Sequence, residues 1–131
     1  MDLHLCSWDV PGAAHDPDSQ YVERFWLPTI GPTAYVTLRL LAATADQHRD
    51  GLAVDTATLA IRLGVSSSTS RHAPLARALT RLARFELIEL LDDSTMRVRT
   101  RIPWLTPRIE RRLPEPLRTE HGRERAYAQL W

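Results

Sequence analysis

Residues 71–85 constrain the fold more than any other stretch, because their apolar and basic positions separate on a helix and on no other regular structure. With Leu75 at zero and about 100° per residue, Ala76, Leu79, Leu82 and Ala83 lie within about 100° of it. Arg84, Arg77 and Arg81 fall at about 180°, 200° and 240°, with Thr80 bordering them at about 140° and Ala73 at about 160° leaving room for close approach. Such a helix is held down on one side and presents guanidinium groups on the other. Its apolar side requires a core, which the flanking segments must supply.

Those segments read in a definite order. A helix is expected over 33–48, with Tyr35, Leu38, Leu41, Ala42 and Ala45 at helical spacing and Val36 and Leu40 widening the apolar face. Arg49-Asp50-Gly51 is turn chemistry, and Leu52-Ala53-Val54 is a short strand candidate. Asp55 caps a helix over 56–63 with Leu59, Ala60 and Leu63 inward, and Gly64 closes it. The hydroxyl run at 66–70 turns the chain into helix 71–85. Residues 86–91, 92–94 and 95–102 then read strand, turn, strand; Arg97, Arg99 and Arg101 share one face of the second arm, and Met96, Val98 and Thr100 the other.

The flanks differ in composition. Residues 1–20 hold Pro11, Gly12, Pro17 and four acids without a sustained period, so they read as an extended acidic arm with Trp8 placed to dock it. Residues 21–27 read as a short helix capped by Ser19 and ended by Pro28. After Pro103, Thr106-Pro107 opens a short helix to residue 113, Pro114 and Pro116 stop it, and a last helix is expected over 117–130. The organisation expected is an arm at 1–20, one domain at 21–102 and a helical extension at 103–131, in a mainly α chain with a small β-hairpin. Phe25, Trp26, Trp104, Tyr127 and Trp131 either pack the first and last helices together or form a homodimer interface, through Phe25, Trp26 and the C-terminal helix.

The order helix, short strand, helix, turn, helix, hairpin resembles the winged helix-turn-helix family, and Val54 to Ser66 resembles its second helix and turn, a capped helix ending in Leu63, Gly64 and Val65. The run Phe25-Trp26-Leu27-Pro28-Thr29-Ile30-Gly31-Pro32 looks like the opening of the N-terminal domain of DnaD-type primosome proteins. Residues 21–113 also resemble small uncharacterised winged-helix proteins of actinobacteria that open the third helix with Arg-His, here Arg71-His72. These resemblances imply a winged helix-turn-helix with N- and C-terminal helical extensions, DNA-associated function, and self-association through the N-terminal segment. Arg77, Thr80, Arg81 and Arg84 would then face the major groove of duplex DNA, with Arg71, His72, Arg97, Arg99 and Arg101 on the phosphate backbone.

Charge supports that partner. The chain is +1 overall, yet residues 1–50 hold three Arg against seven acids and residues 51–131 hold fourteen Arg against nine. All 17 basic residues are Arg, whose planar fork suits phosphates and guanine edges. The bland reading of the same arginines is a solvated surface coded by GC-rich DNA. One cysteine excludes an internal disulfide or a multi-cysteine zinc fold, and no apolar run approaches the roughly 18 residues of a membrane span. A cytoplasmic protein is expected, on the nucleoid if it binds DNA, with no membrane association.

Other motifs weigh less. His48-Arg49-Asp50 has the letters of a kinase catalytic loop without a lysine or glycine-rich loop to accompany it. His4, Cys6, His15 and Asp16 are metal-capable but scattered, the serines of 66–70 read as caps, and Asp92-Asp93 at the hairpin tip would repel phosphate. No catalytic set, metal or cofactor is expected. The alternative function is a protein-docking winged helix in a larger assembly, contacting its protein partner through the arm and C-terminal helix.

Overall fold

A computed structural model describes residues 2–130, and one of the two central strands of its sheet comes from the segment expected to be an arm. Strand β1 (Asp2–Trp8) alternates Leu3 and Leu5 into the core with Asp2 and His4 outward. It pairs antiparallel with β2 (Leu52–Asp55), placing Leu5 opposite Leu52, and parallel with β4 (Thr95–Arg99), placing Leu5 opposite Met96. β3 (Ile88–Leu90) closes the hairpin with β4, so the sheet order is β2-β1-β4-β3. The expectation of a mainly α chain with a small hairpin is therefore overturned: among the described residues the protein is mixed α/β, a four-stranded mixed sheet with six helices. The period-two pattern of Leu3 and Leu5 is present in the sequence, but both partner strands are remote, and no local turn announces either pairing.

The helices follow their local signals more closely. α2 (Pro32–Gln47) buries Tyr35, Leu38, Leu41, Ala42 and Ala45 and packs on the sheet and on α4 (Pro74–Arg84), while Val36 stays 44% exposed. α3 (Thr56–Leu63) is capped by the Asp55 carboxylate, which accepts from the Thr58 N–H, and ends at Gly64 with φ of 74°. α4 starts three residues later than expected because Pro74 takes the first helical position, and the serine run before it forms turns, with Ser66, Ser68 and Ser70 hydroxyls accepting backbone N–H groups two residues on. Pro28 does not end its helix. A π-helical turn (Val22–Trp26) precedes α1 (Leu27–Ile30), and the Leu27 N–H reaches back to the Val22 carbonyl, a wider register that accommodates the proline ring.

At the C-terminal end, Thr106 caps α5 (Pro107–Glu110), and Pro116 sits in the first turn of α6 (Glu115–Ala128) instead of breaking it. α6 is tied to the N-terminal half through His121, which is fully buried. The Tyr21 hydroxyl accepts the Leu105 N–H at 2.8 Å and lies 2.7 Å from His121 Nε2, while His121 Nδ1 pairs with Glu110. Burial pushes the Tyr21 phenol up to about 12. His15 stacks on Tyr21 with ring centroids 4.0 Å apart, Trp104 meets both edge-on, and Arg24 pairs with Glu120 and Glu124 on the surface above. Phe25 and Trp26 are also fully buried within this one chain, the Trp26 indole N–H donating to the Pro103 carbonyl at 2.9 Å. Both side chains face this chain's own core. Trp131, expected in this cluster, lies outside the described residues, and Tyr127 is 61% exposed.

Candidate nucleic-acid interface

α4 is rolled relative to the sequence expectation. Its buried residues are Leu75, Ala78 and Leu82, with Leu79 and Ala83 only half-buried, which turns the inward face by about 70° toward Ala78. Thr80, Arg84 and Arg77 then point most directly away from the core, and Arg81 lies on the flank next to α2. The Arg81 guanidinium donates to the Ile30 carbonyl at 3.3 Å, across the junction of α1 and α2. Between this junction and α4 runs a groove of about 520 Å³. Residues 30–34 form one wall, and Arg71, Arg77, Thr80, Arg81 and Arg84 line the other; no acidic residue lines it.

The local sequence explains the first wall. Gly31 sits at φ 87° and ψ 162°, a backbone region open essentially to glycine, and it occupies the position immediately before α2 where a capping side chain would stand. Having no side chain it caps nothing, and Pro32 at the next position brings no N–H, so the first turn of α2 faces the groove without a capping oxygen. A Cβ at Gly31 would come 3.5 Å from the Arg81 guanidinium. α2 begins at Pro32, one residue before the start expected at 33, and Thr33 lines the groove although it is not among the expected site residues. The usable signal was a proline opening a long helix with no capping side chain before it.

The remaining expected site residues divide. Arg71 lines the groove, its Nε 3.4 Å from His72 Nε2, whereas His72 is exposed outside it. Arg97 pairs with Glu89 at 2.8 Å and lies 4.5 Å from the Trp8 ring; Arg99 lies 4.9 Å from the same ring and donates to the Glu86 carbonyl at 2.7 Å. Burial lowers the Arg99 pKa. Arg101 pairs with Asp16 at 2.8 Å and donates to the Ala14 carbonyl. These three arginines thus hold β1 and the following loop against the hairpin. By contrast, the Arg77 and Arg84 side chains make no hydrogen bond or ion pair among the described residues.

The weaker motifs resolve into structural roles. Arg49 bridges Asp9 and Asp46, both at 2.9 Å, and the Thr100 hydroxyl, with that guanidinium, holds the Asp9 carboxyl below the usual carboxylate range. Cys6 contacts the Met96 carbonyl from within β1, and His15 is enclosed by Tyr21 and Trp104. Asp92 accepts from the Ser94 N–H at 2.8 Å and shapes the hairpin turn. Among the described residues no helix is long and apolar enough to cross a membrane. No protein-family model, curated protein or solved structure matches this chain.

Proposed function

We propose that this protein binds duplex DNA, as a transcriptional regulator or other DNA-associated factor of the cytoplasm, with α4 directed at the major groove. The observation that carries the reading is the set Arg71, Arg77, Arg81 and Arg84, gathered at one groove without an acid. Five of the arginines elsewhere, Arg24, Arg49, Arg97, Arg101 and Arg118, meet carboxylates. A merely solvated surface of a chain with 16 acids would mix the signs at α4 as well. The succession α2, β2, α3, α4, β3, β4 also has the order in which winged-helix proteins present a third helix to DNA, with β1 between β2 and β4 as this chain's departure.

Arg77, Thr80 and Arg84 are the residues assigned to base edges and Arg71 to a phosphate; Arg97, Arg99 and Arg101 support the hairpin from within. The test is fluorescence anisotropy of a GC-rich mixed-sequence duplex at several salt concentrations, beside the Arg77→Ala/Arg84→Ala double variant. Binding that weakens steeply with salt and falls by about 10²-fold or more in the variant supports the reading. A folded wild type that ignores duplex at low salt overturns it. The hairpin favours a second reading, protein docking: Leu90 and Leu91 are 52% and 49% exposed beside Asp92 and Asp93, a tip suited to an apolar and basic protein surface rather than to phosphate.

A further inference from the structure

We propose that the groove between the first turn of α2 and α4 is a phosphate seat, with Arg81 as its fixed ligand and the Thr33 backbone N–H and hydroxyl closing it from the opposite wall. The inference rests on the DNA reading for the source of the phosphate, and it gives Arg81 a different role from Arg77 and Arg84. A base edge lies in the floor of the major groove and is reached by side chains that project outward from a helix. Arg81 lies on the flank of α4 nearer α2, and its guanidinium is tethered to the Ile30 carbonyl in the groove. A phosphate oxygen stands out from the nucleic-acid backbone and enters such a concavity.

The chemistry of the walls fits that guest. Four arginines together with Thr33 and Thr80 line the groove, and no acidic residue lines it. Arg forks bind phosphate oxygens bidentately, and one already held by a carbonyl loses less freedom on binding. The first turn of the 16-residue α2 adds amide donors left without a capping side chain, at the positive end of the helix dipole. Pro32 and Gly31 keep this wall free of bulk, since neither carries a side chain that reaches across.

Two variants test the seat with inorganic tripolyphosphate and the mixed-sequence duplex as probes, read by calorimetry and anisotropy. Thr33→Asp sets a carboxylate at the helix start, where it favours the helix but repels phosphate, so its thermal midpoint stays equal or rises. Arg81→Gln removes the guanidinium while keeping a donor toward Ile30. Both are expected to weaken tripolyphosphate and duplex by about tenfold or more, equally across DNA sequences, with the salt slope reduced by about one. Wild-type affinity and slope in folded variants overturn the seat and leave the DNA reading standing. Tripolyphosphate binding by a wild type that ignores duplex supports the seat, overturns the DNA reading and identifies a free phosphorylated ligand as the source. Binding of neither probe overturns both.

Discussion

Leu5→Ala should cost this protein about 3 kcal/mol of stability, while His4→Ala, one residue away on the same strand, should cost less than about 0.5 kcal/mol. Leu5 is 1% exposed in the middle of β1, between Leu52 on one neighbouring strand and Met96, itself 1% exposed, on the other. Truncating such a leucine removes the transfer free energy of its side chain and leaves a cavity that flanking strands cannot close, a loss of roughly 2–5 kcal/mol in comparable cores. His4 lies on the opposite, exposed face. Small domains hold about 5–15 kcal/mol in total, so the first variant loses a large part of its margin. Urea unfolding followed by far-UV circular dichroism measures both. With a slope of about 2 kcal/mol per molar, Leu5→Ala should lower the midpoint by about 1.5 M and His4→Ala by less than about 0.3 M. Equal, small effects from the two would refute the central position of β1 and return residues 2–8 to the status of an arm.

Three further outcomes follow from particular contacts. Tyr21→Phe leaves the buried Leu105 N–H without its acceptor and His121 without its hydroxyl partner, so stability should fall by about 1–3 kcal/mol in the same assay with DNA binding unchanged. Gly122→Ala lies within α6 with nothing inside 4 Å of the added Cβ, and should raise stability by about 0.5–1 kcal/mol, seen as a higher thermal midpoint. The His15 pKa is lowered, first by burial and then by the nearby Arg101 and Arg125 charges, and its Nε2 has no hydrogen-bond partner among the described residues. The unfolded chain therefore binds this proton more readily, and stability declines as pH falls from about 6.5 toward the folded value. His15→Phe should flatten that decline in denaturant melts taken between pH 7 and pH 5, and an unchanged pH profile would dismiss the contribution.

The amphipathic order of this chain was legible in its residues because helix caps, turns and apolar periods are local. Asp55 and Gly64 bracket α3, Thr106-Pro107 opens α5, and the arginines of α4 separate from its leucines without reference to anything distant. The roll of α4 was not legible: whether Ala78 or Leu79 faces inward depends on what α2 presents to it, and the small Ala34 and Ala78 both line the groove between the two helices. Pairing was still less so. β1 joins residues about 50 and 90 positions away, as in Leu3 with Val54 and Cys6 with Arg97, and no sequence-local energy distinguishes those partners from solvent. The same non-local folding decided the arginines. By itself the sequence determined that seventeen guanidinium groups exist and which of them share a helical or strand face. The tertiary structure decided which are consumed, by bringing Trp8, Glu89 and Asp16 to the hairpin arginines and no carboxylate to the groove at α4, because charge pairing depends on distance in space and not along the chain.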